Sequence, residues 1–144
     1  MATFELNGLD ELLSAFDRIA DIPWPVAEDA LNGMAEVTAA KVKAEGEAMG
    51  VRDPESDVHI LDKIKPTKAK PTDSGGYQMI TFSGSRTRNG KKTRNAEIAF
   101  VNEYGRRSQK ARPFMGTAME KNADAITAPA EKIIGDWIEN EYMK

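Results

Sequence analysis

Pro, Lys, Thr and Gly dominate residues 65–76, and that stretch divides the chain. It offers few apolar side chains to bury, so it reads as a mobile loop or linker. Residues 77–82 then alternate as a strand with both faces partly apolar. Asn89-Gly90 is a hairpin turn signal, because both residue types tolerate positive φ. Residues 96–101 read as the returning strand, which leaves residues 83–95 as an extended basic tip carrying Arg86, Arg88, Lys91, Lys92 and Arg94. Residues 105–112 form a second basic loop with Arg106, Arg107, Lys110 and Arg112.

Helical periodicity lies on both sides of this middle. Leu9, Leu12, Leu13, Phe16, Ile19 and Ala20 recur at helical spacing, with Asp10, Glu11, Asp17 and Arg18 on the other face. Ile22-Pro23-Trp24-Pro25 ends that helix, since a helix interior tolerates neither proline. Pro25 suits a first helical turn, which predicts a second helix over residues 25–49 with Gly50 as its C-cap. Residues 51–56 read as loop and 58–64 as a helical turn or a short strand. Residues 114–143 carry the pattern of a long C-terminal helix, with a kink or break expected near Ala128 because of Pro129. The expected fold class is α+β. Helices at both ends pack on a small antiparallel sheet with an extended basic β-hairpin, and residues 1–144 form a single domain, as the length of 144 residues allows.

Charge is distributed in blocks. Residues 1–60 hold thirteen acidic and four basic residues, a balance of −9; residues 61–112 hold thirteen basic and four acidic, +9; residues 113–144 come to −3. Opposite blocks neutralise one another within one fold, between copies packed head to tail, or against an acidic partner.

The residue inventory narrows the chemistry. The chain has no cysteine, which removes disulfides, thiolate metal sites and a cysteine nucleophile. His59 is the single histidine and reads as part of a packed or half-exposed face. Asp53, Glu55 and Asp57 resemble the start of a calcium loop, but Val58 and Ile64 stand where that loop needs glycine and glutamate. Glu45 and Glu47 sit on a predicted solvated helix face. Ser74-Gly75-Gly76 lacks the lysine of a phosphate loop, and Gly84-Ser85 makes no nucleophile elbow. The sequence therefore predicts no enzyme, no catalytic or metal residue and no cofactor. It also predicts no membrane span, for no apolar run nears the roughly 18–20 residues one needs. The basic tip suits phosphates or an acidic protein surface, and without interleaved aromatics it argues against base stacking.

One segment is specific. Glu103-Tyr104-Gly105 closes the predicted strand, a basic loop comes next, and Ala111-Arg112-Pro113-Phe114 opens a helix. Pro113 belongs at a first helical turn, Phe114 anchors that turn in the core, and Glu103 and Arg112 are placed to pair across the loop base. These two motifs, with Phe4, Leu6, Gly8, Leu9, Asp10, Glu11 and Leu12 at the start, resemble the HK97 gp10-like family of tailed-bacteriophage neck and tail-completion proteins. Met115-Gly116 stands where the family often has a Pro-Ala pair. The resemblance implies a structural virion protein in the neck, assembled in the host cytoplasm as a homo-oligomeric ring between the portal or adaptor side and the tail tube. Its partners would be itself, the portal- and tail-side proteins, and packaged DNA if the hairpin faces the lumen. Arg86, Arg88, Lys91, Lys92, Arg94, Arg106, Arg107 and Lys110 are the candidate contacts; Glu103, Tyr104, Gly105, Arg112, Pro113 and Phe114 set the geometry. The alternatives are a tail-terminator ring and, from another class, a small cytoplasmic nucleic-acid-binding protein.

Overall fold

Pro25 stands in the first turn of a 25-residue helix, α1 (Trp24–Ala48). The carbonyl of Pro23 accepts from Val26 and Ala27, so the two prolines open the helix rather than break it. A paired closure ends α1: Gly50 N–H donates to Glu47 O at 3.2 Å and Val51 N–H to Gly46 O at 2.9 Å, with Gly50 at φ +74°. That turn drives Val51 into the core, where it is buried. The computed structural model describes residues 22–51, 59–73, 75–88 and 90–142. The helix expected over residues 9–20, the loop at 52–56 and the Asp53, Glu55 and Asp57 cluster lie outside the described residues.

Half-buried His59 leads into a 3-10 turn (Ile60–Lys63) that buries Ile60 and Leu61. Two pairs of short antiparallel strands come next. β1 (Ile64–Pro66) pairs with β4 (Ile80–Phe82), and between them β2 (Lys70–Thr72) pairs with β3 (Gly75–Tyr77). Ile64 faces Phe82 and Pro66 faces Ile80, whereas Lys70 faces Tyr77 and Thr72 faces Gly75. The register slips by one residue between the two pairings, and Thr67, Lys68 and Ala69 take up the extra residue as a bulge. Gln78 stitches it, donating from Nε2 to Thr67 O at 2.7 Å and to Asn32 Oδ1 on α1 at 2.9 Å.

Residues 65–76, read from the sequence as a mobile loop or linker, instead contribute to paired strands. Strand pairing satisfies backbone groups and does not require apolar side chains: every residue of β2 and β3 is exposed. Two packing points hold this hairpin to the body. Ala69 is buried, and the Trp24 ring lies over Gly76, where a Cβ would stand 2.7 Å from it.

A third antiparallel pair, β5 (Ser85–Arg88) and β6 (Lys91–Arg94), is the predicted basic hairpin, with Arg88 facing Lys91 and Gly90 at φ +75°. The segment after β6 is not a strand. Residues 95–104 form α2 (Asn95–Tyr104), so the expected returning strand at 96–101 is overturned. The buried positions of α2 are Asn95, Ala99, Asn102 and Glu103, which is helical spacing. Three of these four are polar, and for that reason the apolar pattern of the sequence misread the period.

After a linking segment come α3 (Phe114–Lys121) and α4 (Ala123–Tyr142). The C-terminal pattern breaks at Asn122, not near Ala128, and Pro129 lies inside α4. Pro129 is where α4 meets α1: a Cβ on Gly33 would stand 2.9 Å from the Pro129 Cβ. Because α1 has a glycine there, the proline ring serves as packing surface.

The core joins Val42, Val51, Ile60, Leu61, Phe82, Ala99, Phe114 and Ala118. Phe114 is fully buried and meets Phe82 edge-on, with centroids 6.0 Å apart and planes at 69°. Gly46 makes room for both layers, since a Cβ there would stand 2.5 Å from Leu61 Cδ2 and 3.1 Å from Phe114 Cδ2. Gly46→Ala is therefore expected to destabilise. The overpacking cost of about 1–3 kcal/mol exceeds the gain of up to ~1 kcal/mol from helix propensity. A thermal melt checks the sign, which propensity alone would reverse.

Candidate assembly surface

Asn95 fastens the basic hairpin to the body. It is 1% exposed, its N–H donates to Gly84 O, its Nδ2 donates to Ser83 O at 2.7 Å, and its Oδ1 accepts from Arg86 Nε at 3.1 Å. Arg86 is half-buried by this contact, so it belongs to the hairpin's base rather than to its outer surface. Ser85 pairs with Arg94, Arg86 with Thr93, Thr87 with Lys92 and Arg88 with Lys91. Opposed residues share a face, which places Lys92 and Arg94 on the face away from Arg86. Lys91, Lys92 and Arg94 are exposed.

The second basic segment lies at the other end of α2. Gly105 has φ +76°, and a Cβ there would stand 2.8 Å from Ala111 N and 3.0 Å from Gln109 O, so the chain reverses closely upon itself. Arg106 and Gln109 exchange backbone hydrogen bonds in a tight turn that presents Arg106, Arg107 and Ser108 to solvent, with Lys110 just beyond. Asn102 holds the turn from below: its Nδ2 donates to Ile98 O, its Oδ1 accepts from Gln109 Nε2, and its carbonyl accepts from Arg112 N–H at 2.6 Å.

Glu103 and Arg112 do not pair, contrary to the sequence expectation. The buried Glu103 carboxylate accepts from Met115 N–H at 2.8 Å and Gly116 N–H at 2.9 Å. Pro113, the residue before α3, has no side-chain oxygen to offer, so the preceding helix supplies the cap. Phe114 N–H donates to Arg112 O and Thr117 N–H to Pro113 O, which gives the first four amides of α3 a partner each. Arg112 instead reaches Gly50 O with Nη1 at 2.7 Å, setting its charge at the C-terminal end of α1, where the helix dipole favours a cation.

Tyr104 is exposed and lies against Phe100, with ring centroids 4.7 Å apart at 48°. Phe100 is 61% exposed and Tyr104 68%. Glu97, Phe100 and Tyr104 form one outward stripe of α2. A ten-residue helix is about 15 Å long, so the two basic segments stand about that far apart with the aromatic stripe between them. Sequence reasoning missed Phe100 because it placed the residue in a strand. It missed Asn95 and Asn102 because buried amides carry no hydropathy signal.

Among the described residues the exposed cations of these two segments have no acidic group at ion-pair distance. Among the described residues the ion pairs include Lys43–Asp62, Lys121–Glu45 and Lys132–Asp136, whereas Lys91, Lys92, Arg94, Arg106, Arg107 and Lys110 have no acidic partner there. Among the described residues no helix is long and apolar enough to cross a membrane, and no group of three or more His, Asp or Glu side chains is placed to hold a metal ion. Compared with protein-family models, curated proteins and solved structures, the chain finds no match.

Proposed function

We propose that this chain is a structural subunit of a tailed-bacteriophage virion, a neck or tail-completion component that joins others of its kind in a ring between the portal or adaptor side and the tail tube. The observation that carries this reading is the link between α2 and α3. The residues by which the sequence resembles the HK97 gp10-like family are the ones that build the link: Glu103 caps α3, Gly105 permits the reversal, Arg112 ties it to α1, and Phe114 buries its end. Such a rigid link presents Tyr104, Arg106, Arg107 and Lys110 outward in fixed relation to the hairpin, as a repeated heterologous contact requires.

The test is joining of heads to tails. Changing Arg88, Lys91, Lys92 and Arg94 together to serine spares Arg86, which the fold uses. The variant is expected to accumulate free heads and free tails, with joined particles reduced at least tenfold. Normal joining at normal protein level rejects the assembly role of the hairpin. A cryo-electron microscopy map of the neck then places the ring, and absence of the chain from the mature particle rejects the structural-component reading.

A further inference from the structure

Among the described residues the aromatic stripe of α2 is an exposed surface between two basic segments that have no acidic partner. A partner for it needs apolar side chains at helical spacing and acidic groups toward both ends. One stretch of this chain has that chemistry. Residues 9–21 carry Leu9, Leu12, Leu13 and Phe16 at helical spacing, with Asp10 and Glu11 at the start, Asp17 and Asp21 toward the end, and Arg18 as the single cation. In helical geometry the two acidic ends stand roughly 10–16 Å apart, which matches the length of about 15 Å that separates Arg94 from the Arg106 turn.

We propose that residues 9–21 of one copy dock on the Phe100–Tyr104 stripe of a second copy, their acidic ends pairing with the hairpin and with the Arg106–Arg107 turn. The tether points to a second copy rather than to the same chain. The segment joins α1 at Ile22-Pro23, whereas the Tyr104 end of α2 is tied through Asn102 and Arg112 to Gly50, at the opposite end of a helix of 25 residues, about 37 Å long. With residues 9–20 as the helix the sequence expects, three linking residues and half of that helix would carry the middle of the segment only about 20 Å from Trp24. Nucleic acid suits the stripe less well. Phe100 and Tyr104 lie against each other at 4.7 Å, so no base fits between the two rings. The inference deepens the ring reading by naming the contact between copies, and it rests on that reading for the presence of a second copy.

The absence of native cysteine gives a clean test on the purified full chain. One population carries Ser14→Cys and the other Glu97→Cys, and the mixture is treated with a short bis-maleimide. The expected product is a cross-linked dimer containing one copy of each. Arg106→Glu with Arg107→Glu in the second population is expected to lower its yield about tenfold at low salt. Asp10→Lys with Glu11→Lys, or Asp17→Lys with Asp21→Lys, in the first population is expected to restore it, according to which end meets the turn. No mixed dimer, a cross-link that forms only when both cysteines share one chain, or no rescue by either lysine pair overturns the proposal. Because the cross-link is read without particles, its failure leaves the neck reading to the map, and failure of the neck reading leaves the cross-link standing.

Discussion

Phe114→Ala is expected to lose about 3–5 kcal/mol of stability and to lower the melting temperature by roughly 10 °C or more. Phe114 is fully buried, its ring meets Phe82, and a Cβ on Gly46 would stand 3.1 Å from its Cδ2. Truncation therefore removes the transfer energy of the ring and leaves a cavity. Backbone walls on α1 and the fixed start of α3 keep that cavity from closing. Phe114→Leu, which retains most of the volume, is expected to cost less than half as much. Urea melts of both variants check the pair of values. A melting temperature unchanged in Phe114→Ala would show that the ring lies outside the core.

Glu103→Ala is expected to cost about 2–3 kcal/mol, more than an ordinary exposed cap. The carboxylate is buried and holds two amides that have no other partner, at the second and third positions of α3. Removal leaves both donors without a protein acceptor at the start of α3, at half-buried Met115 and at Gly116. Glu103→Gln discriminates between charge and shape: its one oxygen accepts from one amide while its NH2 faces the other, so about half the stabilisation remains. Hydrogen exchange gives a local reading, with faster exchange expected at Met115 and Gly116 before any change appears in α1. Equal exchange in the wild type and in Glu103→Ala would contradict the capping geometry.

Much of the scaffold was legible in the sequence through backbone constraints. Pro23 and Pro25 located the start of α1, Gly50 its end, and Gly90 the reversal between β5 and β6. Each of these residue types limits φ or removes a donor, and such limits act locally whatever the rest of the chain does. Phe114 was legible as an anchor because a large aromatic directly after a proline has few alternatives to burial at a helix start.

The candidate surface was legible in part. The cationic segments were visible as composition, but their separation by a helix was not. Residues 96–101 read as a strand because Ala96, Ile98 and Phe100 alternate and carry no clear helical stripe of apolar type. Asn95, Asn102 and Glu103 occupy that stripe, and each is buried because a specific distant group satisfies it: Ser83 and Arg86 for Asn95, Gln109 and Arg112 for Asn102, and the α3 amides for Glu103. Hydropathy cannot foresee burial that depends on partners.

The sequence by itself determined where helices start and stop, which turn closes the basic hairpin, and that positive charge gathers in the middle of the chain. Tertiary structure alone decided that residues 95–104 are helical, that residues 64–82 close into a bulged hairpin, and that Glu103 caps a helix instead of pairing with Arg112. The first set comes from sterics within a few bonds of each residue. The second rests largely on hydrogen bonds between separate elements, from Asn102 with Gln109, seven residues apart, to Arg112 with Gly50, 62 apart, whose partners exist only once the chain has folded around them.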